Sequence, residues 1–331
     1  MNQTAVELSA SSQPLLDKGS ICCARKSLVV VKASGEGLHD YLQGQITQDV
    51  KALSADRGLY ACVLTPQGKP VADVHIMQDH GDELVMITEA ASAEALVGRL
   101  RHYALGYQVR IGIVSDMAAI SAQGVKTDDA LHQAGLPVPD SQTYATARSD
   151  STEMFCMRMA EAAADGVWVV LPESEIKDCL ERLGNVVDES EMEAARILAG
   201  SPRFGTDWDA STYPLNANLI GRHGVSFDKG CYIGQEVTSR MHWRGTIKKG
   251  LYSVRLSHRP DKLPGDVCTS ARVGALTSVT ANAKGEIFGI ALLNIAAVKS
   301  GQAMATEDGI AIKVLNVCGA DSLHQQDKEI T

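Results

Sequence analysis

Beyond Gly250 the chain stops using helical spacing. LYSVRLS, RVGALTSVT, EIFGIALL and AIKVLNV are short runs, apolar on alternate or successive residues, with Gly, Pro and Asp between them. Runs of that length with those separators pair as strands. A stretch of strands with no helix to cover it has to bury its faces on itself, as a small barrel or sandwich. A C-terminal β-domain over 246–320 is therefore expected, with its boundary at 245–249.

Upstream the two periods alternate. SLVVVKASG (27–35) reads as a strand into a turn, and the next residues place Leu38, Tyr41, Leu42 and Ile46 at helical spacing. Strand-like runs follow at 59–64, 71–77 and 83–88, joined by TPQGKP and DHGD turns. A helix with Leu96, Val97, Leu100, Tyr103 and Ala104 on one face precedes strands at 108–114 and 118–125. The polar stretch 126–150 reads as a surface excursion, and EMFCMRMA and GVWVVLP as two further strands. Pro172-Glu173-Ser174 opens a helix that Gly184 stops, and ESEMEAARILAG is a helix ended by Gly200 with Pro202 just beyond. Strands, a helix, then strands make an α+β protein rather than a regular βαβ array. Two nucleotide signatures fail: Gly35-Glu36-Gly37 is followed by Asp40 where a dinucleotide fingerprint needs Gly or Ala, and Gly68-Lys69 runs into Pro70.

The N-terminus lacks a basic region followed by an apolar run, and the most apolar later run, Ile287 to Val298, is too short to span a bilayer. The reading is a cytoplasmic protein without a membrane partner, its first 20 residues a mobile, Ser-rich lead-in. Eight cysteines form no CxxC pair and nine histidines no HExxH, so neither a disulfide framework nor a zinc site is expected, and no metal ligands are assigned. A net charge of −9 speaks against a broad nucleic-acid-binding surface. The charge is uneven, however. Leu219 to Pro260 holds eight Lys/Arg against Asp228 and Glu236, a local net of +6, so the remainder carries −15.

That basic block overlaps the segment where periodicity nearly vanishes, Gly200 to Gly245, rich in Gly, Asn, Arg and Asp. Long irregular stretches inside compact proteins are functional or disordered, and Phe204, Trp208, Tyr213, Phe227, Tyr232 and Trp243 argue against disorder. Flat rings beside polar groups suit a planar heterocycle, or simply pack a domain interface. Within it FDKGCYIGQEVTSR sets Cys231 between Gly230 and Gly234, with Lys229 two residues away. Three readings are open for Cys231: a nucleophile whose thiolate Lys229 favours, a metal ligand, or a small residue in a tight turn.

KGCYIGQE (229–236), preceded by SF and followed by Arg240, resembles the signature of the YgfZ family. Those are folate-binding factors of iron–sulfur protein maturation, related to the glycine-cleavage T-protein, an aminomethyltransferase. YLQGQITQDV (41–50) and VLTPQGKPVADVHIM are similar to the family's first two motifs, ARILAGSPRFGTDWDASTYPLNANLI to the segment before the cysteine, and VGALTSVT to the C-terminal β-domain, so the likeness covers roughly residues 25–318. It implies a three-subdomain cloverleaf: a folate-binding α+β domain from 21–50 plus 116–245, an inserted α+β domain at 51–115, the barrel at 246–320, and a flexible tail at 321–331.

The resemblance also implies a ligand, tetrahydrofolate, and a site. GTDWD puts Asp207 where the family's pterin-reading carboxylate stands, with Trp208 beside it. Lys229, Tyr232, Gln235, Glu236, Arg240 and Arg222 are the further expected folate-binding residues, the arginines (Arg244 among them) on the glutamate tail. Asp73 would lie near the reduced ring, and Cys231 would be the redox-active thiol. The T-protein carries an acidic pair where this chain reads Ala72-Asp73, so aminomethyl transfer is in doubt. The leading reading is an accessory protein whose partners are iron–sulfur enzymes or cluster-assembly proteins, among them radical enzymes that modify tRNA. The alternatives are a folate-dependent one-carbon transferase or demethylase, and a tRNA-binding module, which the acidic total disfavours.

Overall fold

Three sheets divide the chain. The computed structural model describes residues 6–149, 152–159, 161 and 166–319. It begins with β1 (Val6–Glu7), α1 (Ser12–Lys18) and β2 (Ile21–Ala24), then β3 (Leu28–Ser34), α2 (Leu38–Gln43), β4 (Leu59–Leu64), β5 (Pro70–Gln78), β6 (Glu83–Glu89), α3 (Ala90–His102) and β7 (Arg110–Val114). Next come β8 (Met117–Gln123), α4 (Thr127–Gln133), β9 (Thr146–Arg148), β10 (Phe155–Arg158), β11 (Gly166–Pro172), α5 (Ile176–Leu183) and α6 (Glu189–Ala199). The chain ends with α7 (Gln235–Trp243), β12 (Lys249–Leu256), β13 (Gly265–Cys268), β14 (Arg272–Ala281), β15 (Ile287–Asn294), α8 (Ile295–Lys299), β16 (Met304–Thr306) and β17 (Ala311–Val317). None of the described helices is long and apolar enough to cross a membrane.

The first sheet runs β4-β5-β6-β3-β7 and the second β2-β8-β11-β10-β9, both antiparallel. The third follows β14-β13-β16-β17-β12-β15, and β14 pairs back onto β15, closing a six-stranded barrel. Closure removes both edges, which is how a segment written almost wholly in strands buries itself. The α+β class and the terminal barrel read from the sequence are thus present.

Each sheet has its own core. Val31, Leu42, Ile76 and Leu96 fill the first unit, Ile120, Cys156, Val169 and Cys179 the second, and Val254, Leu276 and Leu293 the barrel. A further cluster joins all three: Tyr60, Met77, Tyr144, Trp168, Phe204, Trp208, Leu215, Leu251 and Ile290. The weakly periodic segment after Gly200 fills this junction, which explains its aromatic content: its side chains pack against three different sheets and answer to no single period.

Several expectations change. Strand β3 lies inside the first sheet between β6 and β7, so residues 28–34 go with 59–114 rather than with 116–245. Of the supposed mobile lead-in, β1 pairs parallel with β14, and Leu8 and Leu16 are buried against Met192 and Ala195; residues 1–5 lie outside the described residues, as does the tail at 321–331. Helix α4 sits in the expected excursion and α8 in the barrel, where the Asn294 side chain caps it by accepting from the Ala296 and Ala297 amides.

Candidate functional site

Between Pro70 and Met77 strand β5 is apolar except for two residues two apart, Asp73 and His75, which a strand presents on one face. Both are buried and line a cavity at the junction, with Thr88 and Glu89 from the end of β6, Trp168 from β11, Glu161, and Arg196, Arg203 and Arg222. The Tyr60 hydroxyl donates to Asp73 Oδ2 at 2.9 Å, and Thr88 Oγ1 donates to the Asp73 carbonyl at 2.7 Å. Burial raises the Asp73 pKa, while the Arg222 charge and the Tyr60 hydrogen bond pull it back. Glu89 is pushed up to about 8 by burial, against the pull of Arg203, whose Nε lies 3.7 Å away; the Asp73 charge adds to the rise. Glu89 thus stays protonated at neutral pH and can donate as well as accept.

His75 takes the opposite course. Burial drives it down to about 3, with Arg222 adding to the effect, so the ring is neutral. It stacks on Tyr60 at 4.7 Å and meets Trp168 edge-on at 4.8 Å. Arg222 lies over the Tyr60 ring, 4.6 Å from its centroid, and its carbonyl accepts from the Tyr144 hydroxyl at 2.9 Å. His75 Nε2 and Arg222 Nη1 are buried without a hydrogen-bond partner among the described residues. Native interiors rarely leave such groups unmet, so the pair is an unfilled hydrogen-bonding demand. Trp168 Nε1 donates to Glu161 Oε2 at 2.7 Å, and the same oxygen takes Arg25 at 2.5 Å and Ser121 at 2.8 Å. Burial acts most strongly on Glu161 and raises its pKa, but the Arg25 charge and the hydrogen bonds from Arg25, Trp168 and Ser121 together hold the group below the ordinary value. The free space is about 40 Å³, room for a water or two, so a bicyclic ring enters only as lining side chains move aside.

Asp207 is elsewhere. It is 1% exposed, and its two oxygens take four donors. Arg196 Nη1 (2.7 Å) and the Arg203 amide (2.9 Å) bond Oδ2, while Thr277 Oγ1 (2.9 Å) and Ser278 Oγ (2.6 Å) bond Oδ1. A carboxylate so engaged ties α6 and the 203–207 turn to the barrel and has no lone pair left to read a pterin. Trp208 packs edge-on against Phe204 at 4.8 Å, in the same inter-unit cluster. The ring that walls the cavity is instead Trp168, from outside the irregular segment.

The cysteine motif is held by the two other motifs singled out in the sequence. Ile233 N donates to the Gly44 carbonyl at 3.1 Å and Ser226 N to Thr47 O at 3.0 Å; Thr47 Oγ1 donates to Gly224 O at 2.6 Å. The turn at 65–68 meets the start of α7 through two glycines of positive φ. A Cβ on Gly234 would stand 2.6 Å from Thr65 O, and one on Gly68 2.8 Å from Val237 Cβ. Cys231 is exposed, the other seven cysteines buried or half-buried. It does not line the cavity. Lys229 does not serve the thiol: its ammonium donates to the Ile46 and Gln48 carbonyls at 2.8 and 2.7 Å, and burial lowers it to about 8. Gln235 accepts from the Tyr232 amide at 3.1 Å, bracing the turn, and Tyr232 is buried. Glu236 and Arg240 form an exposed ion pair one helical turn apart.

Of the residues expected to bind folate or react, the structure therefore brings Asp73 and Arg222 into one cavity and leaves Cys231, Asp207, Trp208, Lys229, Tyr232, Gln235, Glu236 and Arg240 outside it. Sequence reasoning missed His75, Glu89, Glu161 and Trp168. The Asp-x-His alternation in an apolar strand was a usable signal for His75; nothing local marks Glu89.

No family model matches the chain. It is 29% identical over 255 residues to a protein of Pectobacterium carotovorum named tRNA-modifying protein YgfZ, covering 75% of each chain. A protein of the same name from Yersinia enterocolitica is 27% identical over 248 residues, covering 73% of this chain and 74% of that one. Among solved structures, the glycine cleavage system aminomethyltransferase T from Bartonella henselae superposes with a TM-score of 0.80 over 96% of this chain and 91% of that one, at 16% identity. The chain is thus a relative of the YgfZ proteins, built on the fold of aminomethyltransferase T.

Proposed function

We propose that this protein is a tetrahydrofolate-binding accessory factor, acting in the cytoplasm on iron–sulfur enzymes, tRNA-modifying ones among them. One observation carries the folate reading: a buried, aromatic-walled cavity in which His75 Nε2 and Arg222 Nη1 lack partners beside the carboxyl groups of Asp73 and Glu89. A pterin offers that complement, an amine and ring N–H for a carboxylate and acceptors for a guanidinium. In this reading Asp73 and Arg222 hold the ring's polar edge, and His75 and Trp168 supply its walls. Tetrahydrofolate contributes its capacity to carry one-carbon units. Cys231 is the thiol offered to the client enzyme or its assembly partner. Equilibrium dialysis with tetrahydrofolate tests the ligand, and binding that survives Asp73→Asn together with Arg222→Met unchanged would sink it. A deletion strain tests the thiol: Cys231→Ser should fail to restore iron–sulfur enzyme activity, and full restoration refutes that role.

A second reading, a folate-dependent one-carbon transferase, is favoured by Glu89. The acid missing at Ala72 has a counterpart in Glu89, on the strand paired with that of Asp73 and lining the same cavity, so Asp73 does not stand there as a lone acid. Incubation with tetrahydrofolate and candidate amine donors separates the readings, since only a transferase forms methylene-tetrahydrofolate.

A further inference from the structure

Phe227, His242 and Trp243 form a ring cluster at the last turn of α7. Phe227 and His242 lie face to face, centroids 3.9 Å apart and planes 10° apart, and Trp243 stands edge-on to both, at 6.2 and 4.5 Å. Phe227 is anchored, half-buried, on the inter-unit core, while Trp243 is 70% exposed. Most of the indole therefore lies in water, at the end of a helix that buries only Thr238. Cations follow it closely in the chain. Arg244 follows directly as the helix cap, Lys248 precedes β12 and Lys249 opens it; all three are exposed and have no carboxylate partner among the described residues.

We propose that this cluster is a stacking platform for unpaired nucleotides, with Trp243 receiving a base and Arg244, Lys248 and Lys249 the neighbouring phosphates. Base stacking on an aromatic face beside a row of cations is the common chemistry of single-strand binding. A protein partner fits less well. Interface anchors sit within an apolar surround, yet the one other large hydrophobic exposed between 219 and 260 among the described residues is Ile220. The net charge of −9 does not oppose a local site, because salt confines each charge to about 8–10 Å. The inference is independent of the folate reading and uses none of the cavity residues.

The other two tryptophans, Trp168 and Trp208, are buried, so acrylamide-quenchable emission reports Trp243. Titration with single-stranded RNA of about a dozen nucleotides, and with the matching DNA, should quench that emission and shield it from acrylamide. Loss of one stacked base corresponds to roughly 5- to 150-fold in affinity, and that weakening is expected for Trp243→Ala; Trp243→Phe should keep most of the binding. Arg244→Gln should lower the salt dependence by about 0.7 in the log–log slope. Unchanged binding by Trp243→Ala, duplex binding as tight as single strand, or no binding by either strand at low salt would each overturn the proposal.

Discussion

Replacing Asp207 by asparagine separates a structural carboxylate from a ligand-reading one. In the fold its four acceptor positions are taken by Arg196, the Arg203 amide, Thr277 and Ser278. An amide keeps one acceptor oxygen and turns the other into a donor, facing donors it cannot satisfy. It also removes one of the two carboxylates that neutralise the buried Arg196, leaving Glu193 alone at 2.6 Å. Breaking a buried ion pair from one side costs about 3–5 kcal/mol. An unfolding entropy of about 2.1 cal/mol/K per residue gives roughly 0.7 kcal/mol/K for a chain of 331 residues. The melting temperature should therefore fall by roughly 4–7 °C. Scanning calorimetry measures this, and tetrahydrofolate titration at a temperature where both proteins are folded gives the second arm. Asp207→Asn should be a destabilised protein that still binds. A variant as stable as the parent that no longer binds would return Asp207 to the pterin.

Gly234→Ala should destabilise by about 2–4 kcal/mol in urea unfolding, because a Cβ there meets Thr65 O and Leu64 Cβ at 2.6 and 2.8 Å on backbone of φ 86°; a neutral result would show that the contact yields. The exposed Cys231 should react with a colorimetric disulfide well ahead of the other thiols, of which Cys22 and Cys23 are pushed up to about 12 by burial; a fast phase that persists in Cys231→Ser contradicts this. Glu89 keeps its proton up to about pH 8 when folded but loses it near 4.5 when unfolded, so its contribution to stability declines across that window, by up to about 1.4 kcal/mol per pH unit. Glu89→Gln should therefore lose less stability than the parent between pH 5 and 8, and parallel pH profiles would be the contrary result.

Strands and long amphipathic helices were legible because burial on one sheet or one face imposes one period. What escaped had no such face. Helix α7 buries only Thr238, so QEVTSRMHW carries no apolar stripe, and α4 is a seven-residue helix burying only Thr127 and Leu131. That 28–34 is a strand could be read, but its neighbours could not, since pairing with β6 and β7 is settled by residues 49 and more positions away. At the site the same limit recurs. Sequence position marked Asp207 as special without showing that Thr277 and Ser278, some 70 residues on, occupy it. It also marked Asp73, where the apolar strand made a lone acid conspicuous, but not Glu89, which reaches the cavity from a strand end.

The central claim is that the cavity of Asp73, His75, Trp168 and Arg222, and not the Asp207 turn, holds the folate. Titration calorimetry of tetrahydrofolate against the parent protein and Asp73→Asn, with thermal unfolding to confirm that the variant is folded, tests it most directly. The parent should bind, and the folded variant should lose at least about tenfold in affinity, the worth of one charge-assisted hydrogen bond. Equal affinity for both, or no heat from the parent, would contradict it.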